Sequence, residues 1–289
     1  MTLRLLAVHA HPDDESSKGA ATYAYYRNRG ARVMVVSCTG GDGGSILNPA
    51  LEARHHAERD ITGLRYREMT AARSVLDIEH RWLGFTDSGL PEEGESIRAD
   101  SFAALPLEFS GPPLVRLMRE FRPQVLVTYD ENGGYPHPDH IRAHEVAIWA
   151  KEAAADATAY PSLGEPWQIS KLYYDRIFSP ERFTAVYELM LARDPSNPLV
   201  ARLTEMKDWM SRERGPKPTT FVPAGEFFEV RDAALRSHAS QVAPDSDFFF
   251  WPNDVQREAW PTEDFQLISS TVETTLPESD LFAGIEDDE

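Results

Sequence analysis

Apolar residues along this chain fall into short, nearly unbroken runs separated by longer stretches of mixed polarity. Leu3 to Val8, Ala31 to Cys38 and Gln124 to Thr128 are such runs, the pattern of strands buried on both faces of a parallel sheet. His80 to Gly84 and Trp167 to Asp175 read as two further strands. The intervening segments carry apolar residues at helical spacing. Ser16 to Arg29 is one, closed by Gly30 as its C-cap. Glu52 to Asp77 is another, with Ile61, Leu64, Met69, Ala72, Val75 and Leu76 on one side. Leu114 to Phe121 is a third, ended by Pro123. Strands alternating with helices predict an α/β fold, a Rossmann-like, mostly parallel sheet flanked by helices.

From Ser179 the pattern changes. Helical stretches over Glu181 to Ala192 and Leu199 to Arg214 are separated by D-P-S-N-P and followed by G-P-K-P. Gly225 to His238 is a further helix, and Asp245 to Trp260 is dense in aromatic residues. This divides the chain into a core over 1–178, a smaller, mostly helical section over 179–285 above the site, and an acidic tail over 286–289. The rings of Phe248, Phe249, Phe250, Trp251 and Trp260 are expected first as packing and second as lining for an apolar substrate pocket. Gly89 to Pro113, with several prolines and acids, reads as a surface excursion.

Composition narrows the function classes. The 29 Lys and Arg against 47 Asp and Glu give a net charge of −18, which would repel the phosphates of a nucleic acid. No run approaches the length of a membrane span, and no leader pattern precedes the first strand, so a cytoplasmic location is expected. Cys38, the single cysteine, allows no intrachain disulfide and sits where an inert buried thiol is the natural reading. The loop T-G-G-D-G-G-S after the second strand lacks the GxGxxG phasing and the lysine of a nucleotide site.

The chemistry gathers at two strand ends. The first strand runs into A-H-P-D-D-E (Ala10 to Glu15), and the Gln124 strand into Y-D-E-N-G-G-Y-P-H-P-D-H (Tyr129 to His140). Parallel sheets keep their ligand sites at the carboxyl ends of strands. Each cluster alone is ambiguous, since adjacent acids also suit a solvated helix start. Together, His11, Asp14 and His140 offer two nitrogens and one oxygen, the ligand type of a catalytic zinc with one position open. The same set also suits Fe(II). Pro138 fits the first helical position after His137, and His137 and His140, three apart, fall on one side of that helix.

A-H-P-D-D-E with H-P-D-H resembles the LmbE/PIG-L-like zinc-dependent N-deacetylase family. Within it, the chain is most similar to the amidase branch that acts on mycothiol S-conjugates. The similarity takes in S-S-K-G-A-A-T (Ser16 to Thr22), I-L-N-P (Ile46 to Pro49), W-L-G-F-x-D-S-G-L-P (Trp82 to Pro91), G-E-P-W (Gly164 to Trp167), L-R-S-H-A-S-Q (Leu235 to Gln241) and L-F-A-G-I-E (Leu281 to Glu286). The resemblance implies one Zn2+ per chain on His11, Asp14 and His140, with Asp13 as general base. It implies that His137 steadies the oxyanion and protonates the leaving amine, that Tyr135 reaches the oxyanion, and that Asp139 orients a histidine. Lys18, Asp42, Arg65, Asp87, His238 and Gln241 are implied on the substrate side; the arginine's register, Arg65 or Arg67, is open. The implied substrate is a small thiol-sugar conjugate, cleaved to glucosaminyl-inositol and an N-acetylcysteine S-conjugate. Alternatives are deacetylation of N-acetylglucosaminyl-inositol, an antibiotic-pathway thiol-adduct amidase and, in a different class, an inactive sugar-binding protein.

Overall fold

Leu5, Leu6, Ala7 and Val8 are without solvent exposure, as a strand covered on both faces requires. A computed structural model describes residues 2–286 apart from Glu93, Phe178, residues 211–214, Asp247, Phe248 and Phe250. Its first half contains β1 (Arg4–His9), α1 (Asp14–Ser17), α2 (Ala20–Asn28), β2 (Arg32–Thr39), α3 (Arg54–Arg59), α4 (Ile61–Leu76), β3 (Glu79–Phe85), α5 (Leu107–Ser110), α6 (Pro112–Phe121), β4 (Val125–Thr128) and α7 (Pro138–Ala155). Then follow β5 (Lys171–Asp175), α8 (Pro180–Arg193), α9 (Pro198–Met210), β6 (Thr220–Val222), α10 (Phe228–Ser237), α11 (Asn253–Ala259) and β7 (Glu263–Ser270).

The sheet runs β3-β2-β1-β4-β5-β7-β6. The first five are parallel; β7 lies antiparallel to β5, and β6 antiparallel to β7. Successive side chains of a strand point to opposite faces, and the core divides accordingly. Leu5, Ala7, Val33, Val35, Val125 and Val127 pack with residues of α2, α4 and α10 on one face. Leu6, Val8, Met34, Val36 and Leu126 pack with residues of α6 and α7 on the other. This is the expected α/β layering. The strand order reverses direction between β1 and β4, and at that reversal the carboxyl ends of two neighbours diverge into an open crevice.

Three features differ from the sequence pattern. The helix expected over Ser16 to Arg29 is two, because Gly19 takes φ +101° between α1 and α2 and a Cβ there would meet the Tyr23 ring at 3.0 Å. With no side-chain cap from its own flank, α2 receives one from afar: the Glu263 carboxylate accepts from Thr22 N at 2.8 Å and Ala21 N at 3.4 Å. Next, the Glu52 to Asp77 stretch breaks at Asp60, whose side chain caps α4 by accepting from Gly63 N at 2.9 Å. Finally, the section after Ser179 is helical in α8, α9, α10 and α11, yet it also adds β6 and β7 to the sheet. Residues 211–214, expected to continue α9, and Asp287 to Glu289 of the expected tail lie outside the described residues.

Candidate metal centre

β1 and β4, side by side, deliver the two motifs to one place. After His9 the chain turns so that Ala10 N donates to the Tyr129 hydroxyl oxygen at 2.8 Å, tying the first motif to the start of the second. His11 N donates to Asp14 Oδ2 at 3.0 Å. From the other side, the loop after β4 folds on Asp130, whose Oδ1 accepts from Asn132 N at 2.9 Å and Gly134 N at 3.0 Å. Arg176 Nη1 donates to the other oxygen of Asp130 at 2.5 Å. His137 then caps α7, with Nδ1 accepting from Asp139 N at 3.1 Å, and Pro138 follows at N1.

The result is a triangle of potential ligands. Asp14 Oδ2 lies 3.6 Å from His11 Nδ1 and 3.5 Å from His140 Nε2. Among the described residues, His11, Asp14 and His140 form one group whose ligand atoms lie within 4.8 Å of one another; His11, His137 and Asp139 form another. Their hydrogen bonds separate the two. Asp139 already accepts from Ser88 N at 2.9 Å, from the Ser88 hydroxyl and from His11 Nε2 at 3.2 Å. His140 Nδ1 donates to Gly133 O at 2.9 Å, while its Nε2 is buried without a hydrogen-bond partner among the described residues. A buried nitrogen left open beside a carboxylate and a second imidazole fits a divalent ion with N and O donors. His11, Asp14 and His140 therefore fit as the holders, and Asp139 as the carboxylate behind His11.

Electrostatics agree with that division at His140 and Asp14. Burial lowers His140 to about 3, against the upward pull of Asp14, so its lone pair stays available. Burial would raise Asp14, but His140, Lys18 and His11 hold it well below the usual carboxylate range. Burial opposes a proton on His11, yet Asp139, Asp14 and Asp87 raise it well above the ordinary histidine value. Asp13 turns away from Asp14 with φ +107°. Burial raises its carboxyl, and Arg65 opposes that rise. Arg65 Nη2 donates to Asp13 Oδ2 at 3.0 Å and Pro12 O at 2.6 Å. A Cβ on Gly41 would stand 1.9 Å from Arg65 Nη1, so the Gly-rich loop can cross the arginine only because glycine is there. Of the two arginines left open by the sequence, Arg65 is buried beside Asp13 and Arg67 is exposed.

The remaining substrate-side expectations divide. Tyr135 is 47 % exposed, with its ring centroid 4.6 Å from that of His140. Asp42 is exposed, and its Oδ1 accepts from Asp87 N at 3.2 Å. Asp87 is buried, its Oδ1 3.7 Å from His11 Nε2. Lys18, expected to face an acyl group, is instead buried with Nζ on Asp14 Oδ1 and Ser17 Oγ. His238 has no exposure and bonds to Glu15 at 2.7 Å. Gln241 donates to Ser45 O at 3.1 Å. Of the aromatic segment, Trp251 and Trp260 pack against the cluster of α8, α9 and α11, and Phe249 lies under Arg236. That is the packing expected first; Phe248 and Phe250 lie outside the described residues. The sequence reading passed over Glu15, Ser88 and Tyr129, whose partners are distant in the chain and leave no local signature.

Comparison with known proteins agrees with this geometry. The model of the family PIG-L: GlcNAc-PI de-N-acetylase matches residues 6–151, which carry both motifs. A mycothiol S-conjugate amidase of Streptomyces coelicolor is 48% identical over 99% of this chain and 98% of its own length. A 1D-myo-inositol 2-acetamido-2-deoxy-alpha-D-glucopyranoside deacetylase of Streptomyces avermitilis is 39% identical, over 98% and 97%. Among solved structures, an N,N'-diacetylchitobiose deacetylase from Pyrococcus horikoshii shares the fold with a TM-score of 0.60 at 18% identity, over 92% of this chain and 83% of that one. The chain belongs to the PIG-L de-N-acetylase family.

Proposed function

We propose that this protein is a zinc-dependent amidase that cleaves mycothiol S-conjugates at the cysteinyl amide, releasing glucosaminyl-inositol and an N-acetylcysteine S-conjugate. The observation that carries the chemistry is the open, buried Nε2 of His140 facing Asp14 Oδ2 and His11. The choice of substrate is supported by the 48% identity with the amidase relative over nearly the whole chain, against 39% for the deacetylase relative. Two imidazoles and one carboxylate suit zinc.

A bound zinc would supply Lewis acidity to the amide carbonyl and to a water, bringing the water's pKa towards ~7. The chain's own groups do the rest. Arg65 occupies Asp13 Oδ2 and leaves Oδ1 without a partner among the described residues, so Oδ1 takes the proton of the attacking water. His137 Nδ1 accepts the Asp139 N–H, which places the ring proton on Nε2 as a donor to the oxyanion. That geometry departs from the expected protonated His137, because a proton on Nδ1 would break the cap of α7. The proton taken by Asp13 therefore goes on to the leaving nitrogen. Tyr135, exposed beside His140, adds a second donor to the oxyanion. Asp42 faces sugar hydroxyls at the rim, and residues 179–285 complete the pocket.

The test is a comparison of kcat/KM on a bulky mycothiol S-conjugate and on N-acetylglucosaminyl-inositol with zinc-loaded enzyme. Faster cleavage of the conjugate supports the amidase reading. Tenfold preference for the acetyl substrate would replace it with the deacetylase.

A further inference from the structure

The four residues His238 to Gln241 lie far outside the region that carries the metal motifs, yet they bond to α1, to α4 and to the loop after β2. Ser240 donates to Glu68 twice, from N to Oε1 and from Oγ to Oε2, both at 2.7 Å. Glu68 sits on α4 one turn after Arg65, the residue that holds Asp13. Ser240 O accepts from Leu47 N at 3.0 Å and Asn48 N at 3.1 Å, and Ala239 O accepts from Asn48 Nδ2 at 2.8 Å. Gln241 reaches Ser45 in the Gly-rich loop.

His238 makes the innermost of these connections. Both it and Glu15 are without solvent exposure. His238 Nε2 meets Glu15 Oε1 at 2.7 Å, and Glu15 Oε2 accepts from the backbone N–H of Asp13 at 2.9 Å. Asp13 is the residue with φ +107° and ψ −26°, a left-handed conformation costly for any side chain with a Cβ and kept only where the surroundings over-determine it. The Glu15 carboxylate is the acceptor that receives this strained N–H. The Ser16 hydroxyl also donates to Glu15 Oε1, but it lies on the next residue and moves with it, so His238 is the donor that ties this carboxylate to a distant part of the fold.

We infer that His238 is a positioning residue for the reaction: through Glu15 it fixes the left-handed backbone of Asp13 and so aims the Asp13 carboxylate at the attacking water. The inference rests on Asp13 as general base. It gives a residue expected on the substrate side a different task, carried out from behind the site and across 223 positions of sequence.

The experiment compares His238→Ala, His238→Gln and His238→Asn with the parent protein. Hydrogen exchange of the Asp13 amide is followed in metal-free protein, and kcat, KM and metal content in zinc-loaded protein. Glutamine can still donate to Glu15, whereas alanine cannot and asparagine is too short. His238→Ala and His238→Asn should exchange the Asp13 amide at least ~10-fold faster and lose ~10-fold or more in kcat at one metal per chain, the range for removing an outer support. KM should stay within about twofold, because the residue does not touch substrate. His238→Gln should restore both readouts. Parent-like exchange and kcat in His238→Asn would overturn the inference, as would equal losses in the Gln and Asn variants; the Gln–Asn pair decides even if His238→Ala fails to fold. Asp13→Asn, measured alongside, tests the base itself: full turnover there removes that reading without touching the exchange result.

Discussion

Asp13 and Asp14 are neighbours in sequence with opposite assignments in space, because the left-handed backbone of Asp13 rotates its carboxylate towards Arg65 while Asp14 faces the two histidines. A substitution at each should therefore separate binding from turnover. Asp14→Ala and His140→Ala should lose most of their metal, read by metal analysis of the purified proteins. Asp13→Asn, whose side chain tolerates the left-handed region, should keep one metal per chain and lose ~10²-fold or more in kcat, the contribution of a positioned base. Metal-free Asp13→Asn with metal-loaded Asp14→Ala would exchange their assignments. The candidate ligand residues, which the fold brings together, could be picked out in sequence because each motif is contiguous and ends a strand. Lys18, Glu15 and His238 were not. Their tasks depend on burial and on the folded surroundings; the i, i+4 spacing of Asp14 and Lys18 permits their ion pair but does not say that it is buried.

Among elements, the parallel strands were readable because burial on both faces leaves an unbroken apolar run. β7 was not, since its two innermost polar residues, Glu263 and Asp264, are buried acids and its outer half is largely exposed; as a pattern it looks like a loop. Its acids act on other elements. Glu263 caps α2, so Glu263→Ala should cost about 1 kcal/mol, as loss of a helix cap does, and more if the freed N–H groups stay dry; urea unfolding would measure it. β5 carries a buried charge of its own. Lys171 is fully buried with Nζ 2.7 Å from Glu278 Oε2, and Tyr173 and Thr220 also bond Glu278. Lys171→Met strands that carboxylate and should destabilise by roughly 3–5 kcal/mol, whereas Lys171→Met with Glu278→Leu should recover much of it. Equal stability of the single and double variants would contradict the buried-charge account.

For the molecule as a whole, the net charge of −18 makes the stability curve sensitive to individual buried acids. Burial raises Asp264 to about 6, with Arg182, Thr262 and Trp260 pulling the other way. A carboxyl that holds its proton more tightly when folded favours the folded state at low pH, and that advantage fades as pH rises through the folded pKa. Its contribution should decline between about pH 4 and pH 6, by roughly 3 kcal/mol. Asp264→Asn should thus match the parent near pH 4 and exceed it above pH 7 in melting temperature; no change in that difference with pH would refute the assignment. The reversal of strand order between β1 and β4 has a further, mechanical consequence. His11 and Asp139, bonded to each other, are 128 positions apart, and the ion would grip His11, Asp14 and His140 across the same seam. It would act as a removable staple between the two flanks of the sheet, closing a long loop that the unfolded chain has to open. Chelation should then lower the melting temperature by an amount that grows with the metal concentration of the reference sample, and the last part of the molecule to loosen on warming should be the β1–β4 seam in the loaded protein but not in the stripped one.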